Sequence, residues 1–149
     1  MASSRTTIYA GLLSGGGAML WTLFEYAMGW HNEHLETGAM TGFVAIIFPI
    51  IALVWALRSA QRTAGGVLPM RLALSTGLAV SAISAAIGLA FFSAYYTLIN
   101  PEFVELMSAR GQAVDVTAQL VAVVAGSFVV GMVITLVAAL VIRWRGWAR

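Results

Sequence analysis

The chain has 149 residues, of which 60% are hydrophobic and 9% charged, with a mean hydropathy of +0.90. About a quarter of the residues in a soluble domain are charged, so the composition excludes that class and reads as an all-α integral membrane protein with a single domain over residues 1–149. A net charge of +2 and a pI near 9.5 would suit nucleic acid in a soluble protein, but here the arginines fall at helix ends, and no nucleic-acid partner is expected.

Four apolar segments are each long enough for the roughly 20 residues that a helix needs to cross the hydrocarbon core. They run from Ile8 to Trp30, Gly38 to Leu57, Leu72 to Leu98 and Val116 to Ile142. The first carries Gly11, Ser14, Gly15, Ala18, Thr22, Glu25 and Gly29 at three- and four-residue intervals. These residues share one small, polar face, suited to a seam between helices. The first segment is not expected to be a cleaved signal peptide, because its apolar run is too long and no small-residue cleavage site follows it.

The stretch EYAMGWHNEHLE, Glu25 to Glu36, gathers three carboxylates and two histidines. His31, His34 and Glu33 are the candidates for metal or pigment ligation. The pattern lacks the further ligand and the longer signature that a metal site carries, so the stretch from His31 outward is expected to be a solvated loop. Glu25 lies about 9 Å deeper along the helix than His31. A carboxyl at that depth must be paired or protonated. It is expected to point into the bundle and to find a hydrogen-bond donor in Tyr95 or Tyr96, apart from both histidines.

Pro49, midway through the second segment, is expected to bend that helix, either as a fixed kink or as a gating hinge. The turn TAGGVLPM, Thr63 to Met70, is a tight connector without a phosphate-binding pattern. The third segment repeats the small-residue device with Gly77, Ser81, Ser84, Ala85 and Gly88, and the fourth with Ala122, Gly126, Ser127 and Gly131. Between them, NPEFVELMSARG has helix grammar. Asn100 reads as N-cap, Pro101 as the first helical residue and Gly111 as the stop, which predicts a short amphipathic helix with Phe103, Leu106 and Met107 turned from water. Asp115 is expected to cap the last helix.

Seven of the eight basic residues, Arg5, Arg58, Arg62, Arg71, Arg143, Arg145 and Arg149, fall on one side of this layout, and Arg110 falls on the other. The positive-inside rule then predicts both termini in the cytoplasm, in a multi-pass protein. Trp30, Trp55, Trp144 and Trp147 fall near the interfaces, whereas Trp21 is expected to be packed. The absence of cysteine excludes disulfides and thiolate chemistry.

The order ALRSAQRTAGG, then a small-residue helix, then YYTLINPEF at residues 95–103, resembles the bacterial four-helix membrane family catalogued as domain of unknown function 4199. The residues that carry the likeness are Arg58, Arg62, Gly65, Gly66, Tyr95, Tyr96, Asn100, Pro101, Glu102 and Phe103. The likeness implies a four-helix bundle in the bacterial inner membrane and supplies no catalytic residue or cofactor. Two functions are compatible with these features. The first is a non-enzymatic accessory or scaffold subunit that meets other membrane subunits, or its own copies, through small-residue faces in the lipid bilayer. The alternative is a small homo-oligomeric transporter or channel that uses Glu25 in an intramembrane polar face. No Ser-His-acid, metal-hydrolase or nucleotide-binding grouping points to an enzyme.

Overall fold

The computed structural model describes residues 4–112 and 114–147; Arg149 and the side chains of Arg145 and Trp147 lie outside the described residues. Every regular element among the described residues is helical. Helix α1 spans Ser4–Ala27, α2 Leu35–Thr41, α3 Ile47–Thr63, α4 Met70–Ala94, α5 Phe103–Ala109 and α6 Val116–Trp147. A 3-10 turn over Gly42–Ile46 joins α2 to α3, and a π turn over Tyr95–Ile99 extends α4. Four helical stretches are long and apolar enough to cross a membrane: Ser4–Ala27, Leu35–Thr63, Met70–Ile99 and Val116–Trp144. The protein is a four-span bundle.

The spans differ in extent from the hydropathy segments. The second, third and fourth run past their apolar limits, because residues such as Gln61, Arg62 and Arg71 are good helix formers that need not stop at the edge of the hydrocarbon. The first is shorter at its far end, stopping at Ala27 instead of Trp30. Gly29 adopts a left-handed φ of 74°, which lets Trp30 N–H reach the carbonyl of Glu25 at 3.0 Å and Gly29 N–H reach that of Tyr26 at 2.9 Å. This pair of bonds closes a helix and reverses the chain. Gly29 is therefore a helix stop and not another member of the packing stripe.

The seams are built where small residues were expected on the first and third spans and at Gly131 of the fourth, whereas Ala122 is exposed and Gly126 faces open space, so the outer half of the fourth stripe is not a seam within this chain. The buried face of α1 consists of Ala10, Gly11, Ser14, Gly15, Gly17, Thr22 and Glu25. A Cβ added at Gly11 would come within 2.5 Å of Ile83 Cβ on α4, and one at Gly15 would meet the Ser84 backbone at 3.1 Å. Gly77 is closed in the same way by Thr135, and Gly131 by Ser81, across the α4–α6 seam. With α1 packed on α3 and α4, and α6 packed on α4 and α3, the two outermost helices sit opposite one another. Ser14 and Ser84 hydroxyls meet at 3.1 Å across the α1–α4 seam.

Large apolar residues point outward along the bundle, among them Ile8, Leu20, Phe24, Ile51, Val129, Val133 and Leu140. Such exposure would be an aggregation hazard in water but is the natural complement of acyl chains. The expected break near Pro49 is present as the 3-10 turn just before it, where the proline ring crowds the carbonyl four residues back and removes one helical bond. Asp115 Oδ1 accepts the N–H groups of Thr117 at 2.8 Å and Ala118 at 3.2 Å, capping α6.

Between α4 and α6, α5 is helical, and Phe103, Leu106 and Met107 are half-buried while Glu102, Glu105 and Ser108 are exposed. Its start differs from expectation. The helix begins at Phe103, and Asn100 closes a separate turn through its carbonyl, which accepts Phe103 N–H at 3.2 Å. Gly111, at φ 78°, ends α5 with the same bond pair as at Gly29: Gln112 N–H to Met107 and Gly111 N–H to Ser108, both 3.0 Å.

Candidate functional site

At the end of the bundle opposite Arg58 and Arg62, the turn after α1 folds back over the helix it has just left. The carbonyl of Gly29 accepts the N–H groups of Asn32, Glu33 and His34 at 3.2, 2.8 and 3.0 Å, which fixes a tight hook. The hook returns the His31 ring to the level of Glu25. There, His31 Nε2 lies 3.4 Å from Glu25 Oε2, and His31 Nδ1 lies 2.6 Å from the Tyr95 hydroxyl.

Glu25 is only 3% exposed, the one buried carboxylate among the described residues. Its other oxygen, Oε1, accepts the Thr41 hydroxyl at 2.6 Å. Thr41 itself is fixed from a second side, because Trp21 Nε1 donates to its carbonyl at 3.2 Å. Tyr95 is 1% exposed and begins the π turn, a kind of helix irregularity often found at functional sites. Asn100 Nδ2 donates to the Tyr95 oxygen at 3.1 Å and to Asn32 Oδ1 at 2.9 Å.

These contacts have one self-consistent direction. Asn100 donates to the Tyr95 oxygen, and the Glu25 carboxylate facing Nε2 calls for a proton on that nitrogen, so in the neutral ring it is the Tyr95 O–H that donates to His31 Nδ1. His31 then keeps its proton on Nε2 and donates toward Glu25, which also accepts from Thr41. Burial pushes the His31 imidazole below its ordinary value of 6.5, and the neighbouring Glu25 carboxylate pulls it part of the way back. A neutral Nε2–H ring between a phenol and a carboxylate is a proton relay at rest: a proton delivered to either end can be passed by exchanging tautomers.

The geometry corrects two expectations. The donors to Glu25 are Thr41 and His31, and Tyr95 is one residue removed, behind the imidazole. His31 is also part of the buried network and not of a solvated loop. The reason is Gly29: continued helix would have carried His31 outward, whereas the left-handed turn brings it back. His34 and Glu33 are exposed and stay apart from it. Among the described residues, no group of three or more His, Asp or Glu side chains is arranged to hold a metal ion. Tyr96 packs its ring on Phe92 and Phe103, at centroid distances of 5.9 Å each. Ser93 donates to its own helix at Leu89.

Sequence reasoning missed Thr41, Asn32 and Asn100 as members of the network. Asn100 carried a misleading signal, since Asn-Pro before a short helix is a capping pattern, yet the helix begins later and the buried carboxamide turns inward. Above the network lies a cavity of about 470 Å³ between the hook, α2 and α5. His31 and Trp30 form part of its wall, Phe103 and Met107 face them from α5, and Glu36 and Arg110 supply one charge of each sign.

A family model described as a protein of unknown function, DUF4199, matches residues 9–143. The chain belongs to the DUF4199 family. No curated protein and no solved structure matches it. The match takes in most of the first and fourth spans of this DUF4199 protein and all of the second and third, together with the hook, the π turn and α5, so the candidate site falls wholly inside the family's extent.

Proposed function

We propose that this DUF4199 protein is a non-enzymatic membrane transporter or channel of small size, in which the buried Glu25 and His31 pair forms the polar element of the pathway. The observation that carries this reading is the buried carboxylate held by Thr41 and His31 beneath an open cavity. A carboxyl withdrawn from water and lipid alike is costly, and in spanning helices such groups mark ion or proton pathways. His31 bonds that carboxyl and itself lines the cavity, so the carboxyl is one side chain removed from the open end of the bundle. The expected orientation has Arg5, Arg58, Arg62 and Arg71 in the cytoplasm and the cavity on the opposite side, in a cytoplasmic membrane.

Proteoliposomes loaded with a pH-sensitive dye test this directly. Wild-type protein is expected to carry an acid flux under a pH gradient, and Glu25→Gln to abolish it while still folding. An inactive wild-type protein, or flux that survives Glu25→Gln, would overturn the reading.

A second reading, an accessory or scaffold subunit, is favoured by one different observation. The most apolar window of α6 is only 11% buried, and its exposed side includes Ala118, Ala122 and Ala125, with open space beside Gly126. Another spanning helix, from a second copy or a different subunit, fits such a face. Native mass spectrometry of the membrane-extracted protein distinguishes a stoichiometric complex from a bare chain.

A further inference from the structure

The cavity between the hook and α5 has a chemistry of its own, apart from the relay in its floor. Its body is apolar and aromatic, from Trp30, Phe103 and Met107, and its volume of about 470 Å³ is within the range of roughly 300–1,000 Å³ typical of small-molecule sites. His31 adds only ring surface, because both its nitrogens are engaged by Tyr95 and Glu25. The charged capacity of the wall therefore lies with Glu36, on α2, and Arg110, at the end of α5, with the Gln112 amide beside them.

Those two charges are uncommitted. Neither side chain makes an ion pair or hydrogen bond to another described residue, although both line the same cavity and carry opposite signs. Two opposite charges that line one cavity without pairing are available to a third party. An occupant bearing both a cationic and an anionic group would meet Arg110 with the anion and Glu36 with the cation. Its apolar part would fill the space between Trp30 and Phe103. A purely cationic or purely anionic molecule would leave one wall charge facing a charge of its own sign.

We propose that this cavity binds a zwitterion with an apolar body: a primary ammonium and an anionic oxygen group attached to an aromatic or aliphatic portion. Two sources supply that chemistry, a free hydrophobic α-amino acid and the headgroup region of an aminophospholipid. The proposal deepens the transport reading by naming its substrate class. Equilibrium binding is measured without any flux, so failure of one is distinguishable from failure of the other.

The test uses the purified full chain in nanodiscs made of anionic lipid only. Binding of tritiated L-phenylalanine is measured by scintillation proximity, with N-acetyl-L-phenylalanine and L-phenylalanine amide as competitors lacking the ammonium and the carboxylate. Both competitors are expected to be weaker than L-phenylalanine by about tenfold or more, and Glu36→Gln and Arg110→Gln to weaken binding by a similar factor. Both variants are at exposed positions and are expected to keep the wild-type unfolding temperature. A second arm adds phosphatidylethanolamine to the discs and detects co-purified lipid by mass spectrometry. Retention of that lipid, lost in Glu36→Gln and Arg110→Gln, would assign the cavity to the headgroup. The proposal is overturned if neither probe binds the wild-type chain, if both competitors match L-phenylalanine, or if both variants bind as the wild type does.

Discussion

His31 sits six residues beyond Glu25 in the chain and yet turns its Nε2 back to within 3.4 Å of the Glu25 carboxylate. In a continuous helix, six residues would separate them by about 9 Å along the axis. The difference is the left-handed turn at Gly29, so the proximity of the pair rests on one backbone angle. Replacing Gly29 by Ala should cost about 1–2 kcal/mol from the left-handed conformation alone. It should also detach His31 from Glu25. Thermal unfolding in detergent would show the loss, and Gly16→Ala, mid-helix with nothing within 4 Å of the added carbon, is the control that should be neutral or slightly stabilising.

Thr41 supplies the shortest bond to Glu25, at 2.6 Å. Thr41→Val keeps the shape and removes the donor, leaving a buried carboxylate oxygen unsatisfied at a cost of about 1–3 kcal/mol. Glu25→Gln should be milder than Glu25→Ala, since the amide still accepts from Thr41 and can adapt to His31 by a change of tautomer. Equal losses in the two Glu25 variants would argue that the site is packing alone.

Acid should destabilise the fold through His31. Its value in the folded chain lies below the ordinary 6.5, so below pH 6.5 the unfolded chain binds more protons than the folded one, and stability falls as pH falls. The contribution is fully present above 6.5 and is lost as pH drops through the lower folded value. Unfolding temperatures measured between pH 7.5 and 5 should fall more steeply for the wild type than for His31→Gln. Parallel slopes would contradict the burial of the imidazole.

The close helix seams make a separate claim. A Cβ at Gly11 would collide with Ile83, and one at Gly77 with Thr135. Gly11→Ala and Gly77→Ala should each destabilise by about 1–3 kcal/mol, the cost of overpacking a filled interior. Unfolding temperatures at or above the wild type would show that the helices can part without penalty.

Much of this was legible in the sequence, for reasons that separate it from what was not. Hydropathy and the small stripe from Gly11 to Glu25 reveal the spans and the inward direction of α1, because in a membrane length and face are set by lipid. Asp115 and Gly111 read correctly as a cap and a stop, since their signals are local. The partner of Glu25 was not legible, because it depends on where a loop returns. The same glycine at position 29 fits both a packing stripe and a helix stop, and only the φ angle decides between them. Asn100 likewise looks like a cap until Tyr95 and Asn32 are seen to converge on its carboxamide.

Orientation is open to a background-free experiment, because the chain has no native cysteine. Cysteines introduced at Ala64 and Ser108, at opposite ends of the bundle, should react with an impermeant maleimide from opposite sides, with Ser108 labelled from outside the cell. Labelling of both from one side would contradict the four-span topology.

The relay itself is tested most directly by nitrogen NMR of the imidazoles, since the chain contains only two histidines and exposed His34 is a built-in reference. In uniformly labelled protein at pH 7, His31 should give the spectrum of a neutral ring protonated on Nε2, with Nδ1 shifted by the Tyr95 hydroxyl, and it should titrate below the ordinary imidazole value of 6.5. Tyr95→Phe should alter the Nδ1 signal and Glu25→Gln the Nε2 signal. An imidazolium at pH 7, an Nδ1–H tautomer, or a His31 that titrates at or above 6.5 would contradict the buried Glu25–His31–Tyr95 relay.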